Sequence, residues 1–182
     1  MKIEKAKQNY DRESYILVVD DDSTLLKFFK IHLNKFFSRV IVVKNAKEAI
    51  LALKEKQIDL VISDIDMPRV DGFALMKKIK RKDLTIPVLL ISGAFLVEDK
   101  ESLLKEADGY LRKPFSIDEL HQFIQEGMEK RNHLSRLLSI VENQRNLKKL
   151  LAGNAKLEKV VSTELAKEAQ EIFLAMKKSN AA

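Results

Sequence analysis

The stretch DLVISDIDMPRVDG, residues 59–72, decides the fold, because its character changes in the middle. It opens inside a mostly apolar run, Ile58 to Ile62, and turns at Asp64 and Asp66 into a polar segment holding Pro68, Asp71 and Gly72. A run this short, apolar on successive positions, suits a strand covered on both faces, as in a parallel sheet. Asp64 then stands where a buried strand ends, and the turn after it can fold back without covering it. Three further runs share the pattern: Tyr15 to Val19, Val40 to Val43 and Val88 to Ile91, with a last short strand at Gly109 to Leu111. Between them apolar residues recur at spacings of three and four: Leu25, Leu26, Phe29, Leu33 and Phe36; Ala46, Ala49, Ile50 and Leu53; Phe73, Met76 and Ile79; Leu103, Leu104 and Ala107. These predict amphipathic helices, with Asn45 capping the second and Asp22 or Ser23 the first. With a fifth helix from about Ser116, the alternation predicts an α/β fold: a doubly wound, five-stranded parallel sheet of (βα)5 type with helices on both faces.

Composition narrows the function classes. A chain of 182 residues holds one domain with an appendage, or two small domains, and excludes a large multidomain enzyme. With 46% hydrophobic residues it can bury a core, and with no cysteine it has neither disulfides, nor thiolate metal ligands, nor thiol nucleophiles. No apolar run has the length of a membrane span, and Met1 to Glu13 is charged with no apolar segment behind it, so a soluble, cytoplasmic protein without membrane attachment is expected. Most of the net charge of +6 belongs to the end of the chain, where residues 131–182 hold ten Lys or Arg against five Asp or Glu. That surplus is dispersed at helical spacing and nearly free of aromatics, which favours a solvated helix face over a nucleic-acid surface.

Ligands collect at the carboxyl ends of strands in such sheets. Just past the first strand stand Asp20, Asp21 and Asp22; past the third, Asp64 and Asp66; past the fourth, Ser92 and Gly93; past the fifth, Lys113 and Pro114. Alone, each is an ordinary turn former, cap or surface residue, and Asp22 keeps its role as a helix-start residue. Together they converge on one edge. Crowded carboxylates repel, and a hard cation is the usual remedy, so Mg2+ is implied. A hydroxyl (Ser92) and an ammonium (Lys113) opposite the metal suit a bound phosphoryl group. An aspartate held at such a metal can itself attack phosphorus and form an acyl phosphate, and Asp64 is the candidate.

The segments ILVVDDD (16–22), DLVISDIDMPRVDG (59–72), LLISGAF (89–95) and GYLRKPFS (109–116) resemble the receiver domain of two-component response regulators, in the same order and spacing, over roughly residues 14–130. The resemblance implies a flavodoxin-like fold and a phosphoryl switch with no catalytic turnover. Asp64 would be phosphorylated by a histidine kinase, a phosphotransfer protein or a small phosphodonor. Asp21 and Asp64 would hold Mg2+ through carboxylates, Asp20 mainly through bound water, and Asp66 through its carbonyl. Ser92 and Lys113 would take phosphoryl oxygens, helped by the amides of Ile65 and Gly93. Ser92 would move toward the phosphoryl group and Tyr110 into the space it leaves, altering the surface of the fourth and fifth helices and fifth strand. Asp66 beside the acceptor and Ala94 after Ser92 predict slow self-dephosphorylation. Asp64-Ile65-Asp66 also looks like the DxD of haloacid-dehalogenase-type phosphatases. In those an acidic pair follows the Lys, whereas Asp20 and Asp21 here precede everything.

The chain thus divides into an N-terminal extension (1–13), the receiver-like domain (14–130) and a helical extension (131–182). From Ser116 the helical pattern runs to Ala152 through Leu134, Leu137, Leu138 and Val141; Gly153-Asn154 supplies a stop and a new cap, and Leu157, Val160, Val161, Leu165, Ala169, Ile172, Phe173 and Met176 mark a second helix. Such a stripe must fold back as a hairpin, pair with a second chain or bind a partner, and a homodimer is the favoured reading. A DNA-binding output is the alternative, though a single break leaves little room for a helix-turn-helix. His121 and His133 have no phosphotransfer motif around them and read as packing residues.

Overall fold

The computed structural model describes residues 11–93, 106–150 and 155–179. Five strands, β1 (Tyr15–Val19), β2 (Arg39–Val43), β3 (Leu60–Asp64), β4 (Val88–Ser92) and β5 (Gly109–Arg112), form one parallel sheet in the order β2-β1-β3-β4-β5. The helices are α1 (Ser23–Leu33), α2 (Ala46–Glu55), α3 (Gly72–Lys82), α4 (Ile117–Leu150) and α5 (Ala155–Ser179). This is the flavodoxin-like (βα)5 order. The fourth expected helix, with Leu103 and Leu104, lies outside the described residues, as do Ala94 and the Gly153-Asn154 break; Ala107 is half-buried against the core.

β3 and β4 are buried over their whole length and β1 over all but its first residue, which explains why their sequences do not alternate. β3 starts at Leu60, two residues later than the apolar run, and includes Asp64 as its last residue. Ile58 is still buried, and Asp59 just ahead of β3 donates its amide to the Tyr15 carbonyl at 2.9 Å while its carboxylate accepts the Tyr15 amide at 2.8 Å, so a side chain completes the pairing there. Asp108 repeats the device before β5, accepting the Val88 amide at 2.8 Å while paired with Lys80. Asp22 and Asn45 cap α1 and α2 as expected, with Asp22 accepting from Thr24 and Leu25. α1 ends at Leu33, so Phe36 falls in a half-buried turn and the neighbouring Phe37 fills the core instead.

The chain forms two compact units, Met1–Gly127 and Met128–Ala182. In the second, α5 lies antiparallel beside the later part of α4. Arg136 meets Glu168 at 3.1 Å, two residues nearly equidistant from the connection, and Ile140 and Ile172 are buried. The tail therefore folds back as a hairpin. Its inner face uses Ile140 where the sequence pattern pointed to Val141, and leaves Leu138, Val141, Val160, Phe173 and Leu174 half or more exposed.

Gly72 sets the distance between α3 and the end of β3. A Cβ there would stand 2.3 Å from the Asp64 carbonyl oxygen and 2.9 Å from Ile65 Cα, both backbone atoms that cannot yield cheaply. Gly72→Ala is expected to destabilise the protein by about 2–3 kcal/mol, as overpacking against a fixed neighbour does. Urea unfolding checks this, and a midpoint equal to wild type would contradict it.

Candidate functional site: a carboxylate–ammonium cluster at the sheet edge

The sheet register brings the site together. Val19 pairs with Ser63, Asp64 with Ile91 and Ser92 with Arg112, so the ends of β1, β3, β4 and β5 line up across the sheet. Asp20 follows β1 and Asp64 ends β3 on the adjacent strand; both are almost fully buried. Lys113, just past β5, reaches back across β4 and donates to both, at 2.7 Å to Asp64 Oδ1 and 3.0 Å to Asp20 Oδ2. Its own amide donates to the Ser92 carbonyl at 2.8 Å, and its bond to Pro114 is cis.

The remaining oxygens are also engaged. Asp64 Oδ2 accepts the Asp66 amide at 2.9 Å, and Asp20 Oδ1 accepts the Asp22 amide at 2.8 Å. Ser92, fully buried, donates its hydroxyl to Asp66 Oδ2 at 2.8 Å. The Ile65 amide, expected to serve a phosphoryl oxygen, instead donates to the Ile91 carbonyl at 2.9 Å as part of the β3–β4 pairing; the amide that faces the Asp64 carboxylate is that of Asp66. Asp21 is exposed and lines a cleft of about 730 Å³ with Lys44, Lys47 and Arg69. Arg69 has φ 70°, a left-handed backbone that no residue pattern announced. A Cβ at Gly93 would meet the Lys113 stem at 3.9 Å, an ordinary contact. Tyr110 on β5 is half-buried against the core.

Burial raises the Asp64 pKa above the usual carboxylate value, against the pull of Lys113. For Lys113, burial works to lower the pKa, but the hydrogen bonds and charges of Asp64 and Asp20 outweigh it and the ammonium is held above its ordinary value. Among the described residues no three His, Asp or Glu side chains form a cation cage. Two carboxylates nevertheless converge on one cationic nitrogen. A hard divalent ion taking that position would meet two carboxylate oxygens and complete its shell with water, the donor set Mg2+ accepts. The residues present fit such an ion.

A parallel (βα)5 sheet with buried acids, a hydroxyl and an ammonium at its carboxyl edge defines a receiver. The response regulator receiver domain model matches residues 16–125, and the chain belongs to that family. Among curated relatives it is similar to a probable transcriptional regulator, ycf27, of Cyanidium caldarium (36% identical over 126 residues, 69% of this chain and 49% of that one). It is also similar to the virulence transcriptional regulatory protein PhoP of Salmonella choleraesuis, 30% identical over 152 residues, 82% of this chain and 68% of that one. The chain spans about half the length of the first of these. Among solved structures it resembles a response regulator receiver domain protein from Clostridium thermocellum (TM-score 0.62, 29% identity, 66% of this chain and 98% of that one). TrrA of Thermotoga maritima, solved with Mg(2+)-BeF, gives a TM-score of 0.56 at 27% identity, over 63% of this chain and 98% of that one.

The raised Asp64 pKa carries a sign for stability. The folded state binds this proton more readily than the unfolded chain, so the group's contribution is fully present below the unfolded pKa and is lost as pH rises through the folded one. At neutral pH the ionised Asp64 is thus a burden, and Asp64→Asn is expected to raise the melting temperature in chelator, with the advantage shrinking as pH falls. An Asn variant that melts below wild type at neutral pH would contradict this.

Proposed function

We propose that the chain is the phosphoryl-accepting switch of a cytoplasmic two-component pathway, taking its phosphoryl group on Asp64 from a histidine kinase or phosphotransfer protein. The observation that carries this reading is the sharing of the Lys113 ammonium by Asp20 and Asp64. It leaves Asp64 ionised, oriented and next to a cation that can follow the charge onto a phosphoryl oxygen. Bound Mg2+, held by Asp64 with Asp20, Asp21 and the Asp66 carbonyl, would neutralise charge on the incoming phosphoryl group.

An Asp64 carboxylate oxygen attacks phosphorus, the phosphorus–nitrogen bond of the donor phosphohistidine breaks, and the imidazole leaves as the acyl phosphate forms. Lys113 moves from pairing two carboxylates to pairing one carboxylate and the new phosphoryl oxygens. Ser92 must release Asp66 Oδ2 to donate to the phosphoryl group, so Asp66 competes with it for the same hydroxyl. Tyr110 turns as Ser92 moves, and the rearranged β5 surface signals onward. The role is that of a switch, and not of a phosphatase with turnover.

The exposed apolar residues of the hairpin, Leu138, Val141, Val160, Phe173 and Leu174, support output by association with a second copy of the chain. A transcriptional output is the second reading, since ycf27 and PhoP are described as transcriptional regulators. It needs salt-dependent binding to duplex DNA that is lost on removing residues 131–182.

Acetyl phosphate with Mg2+ is expected to label wild type on Asp64, read by intact-protein mass spectrometry, with the label persisting for minutes or longer. Asp64→Asn should abolish labelling and Lys113→Met should slow it by at least about tenfold, the typical reach of one lost charge-assisted contact. Labelling that survives Asp64→Asn overturns the assignment. Beryllium fluoride with Mg2+ is expected to shift the sedimentation coefficient toward a dimer, and an unchanged monomer would leave the hairpin without that output.

A further inference from the structure

His32, in the last turn of α1, and His121, in the first turns of α4, are both buried, and their Nε2 atoms lie 2.9 Å apart. Phenylalanines enclose them. Phe28 stacks on His32 with ring centroids 5.7 Å apart, and Phe36 meets His121 edge-on at 4.5 Å and His32 at 5.6 Å. The contact joins α1 to α4 through two residues 89 apart in sequence.

The geometry allows one arrangement of protons. Two imidazoles meeting through Nε2 atoms at this distance share a single N–H···N bond, so one ring presents Nε2–H and the other an Nε2 lone pair. A first added proton can go to Nδ1 of the donor ring, and the imidazolium so formed still donates through Nε2. A second proton has only the acceptor's Nε2 to occupy. Placing it there destroys the bond and sets two cations 2.9 Å apart beside the phenylalanine rings.

We propose that His32 and His121 form a proton-binding site that latches α1 to the start of α4 when neutral and releases them as the pair becomes fully protonated. The site's ligand is the hydrogen ion, and its consequence falls on α4, the helix that carries the chain from the first unit into the second. Burial is the largest influence on both rings and holds both pKa values below the ordinary histidine value. Lys35, just beyond α1, pushes His32 further down; His32 does the same to His121, while Asp118, one turn earlier in α4, pulls His121 up. For a depressed histidine pKa the sign is fixed: the contribution is present above the unfolded value and is lost as pH falls through the folded one.

The test uses the full chain carrying His133→Asn, which leaves the pair as the only imidazoles among the three histidines of the sequence. Urea unfolding is measured from about pH 8 to about pH 5.5, the range in which histidine is the main titrating side chain. The unfolding equilibrium constant is expected to rise by about tenfold or more on acidification, the direction that proton linkage gives for a depressed histidine. Adding His32→Phe and His121→Leu should flatten that rise, whereas parallel profiles would overturn the proposal. Should the added substitutions prevent folding, imidazole NMR decides on the His133→Asn protein alone. Two rings titrating in a coupled manner below the ordinary value, with loss of amide protection in α1 and residues 117–127 over the same range, supports the latch. Independent titration at the ordinary value with protection unchanged rejects it.

Discussion

One ammonium group shared by two buried carboxylates is the constraint around which the first unit is organised. Asp20 and Asp64 are side by side at the ends of adjacent strands, each screened from water, and without a cation between them their mutual repulsion would oppose the pairing of β1 with β3. Lys113 relieves it from two strands beyond β3, and only a long side chain can span that distance. The sheet order and register are therefore matters of chemistry as well as of packing. A slip of one residue between β1 and β3 would turn Asp64 to the opposite face and leave a carboxylate against the helix layer.

The rest of the molecule supplies rigid edges to that arrangement. Asp59 and Asp108 satisfy the first amides of β1 and β4 with side-chain oxygens, at the edge opposite the acids, so both ends of the sheet are closed by carboxylates with different tasks. Gly72 lets α3 begin against the backbone of Asp64 and Ile65. Gly127 performs a similar service for α4, where a Cβ would meet Leu60 and Leu89 at 2.9 and 3.2 Å. Ser92 is fully buried, whereas its partner Asp66 is exposed.

Much of this was legible in the residues. Four short runs rich in Val, Ile and Leu announced a buried parallel sheet, and the acids, hydroxyl and lysine that follow them and the short fifth strand marked one edge. Less was legible where two readings share one pattern. Phe36 and Phe37 are equally apolar, and the turn after Leu33 decided which entered the core. Ile140 and Val141 are equally suited to a helix stripe, and the position of α5 chose Ile140. Nothing in the order of residues joined His32 to His121, because helical spacing describes one helix and not its neighbour.

By itself the sequence determined the element order, the family and the set of side chains at the carboxyl edge, because strand and helix periodicities and strand-end chemistry are local properties of a chain. Tertiary structure decided the partners: Lys113 with Asp20 and Asp64 together, Ser92 with the Asp66 carboxylate, Ile65 with Ile91 and not with the site, and one histidine with another. Those choices depend on distances between atoms brought together only by strand register and helix packing, and such distances are set when the core closes.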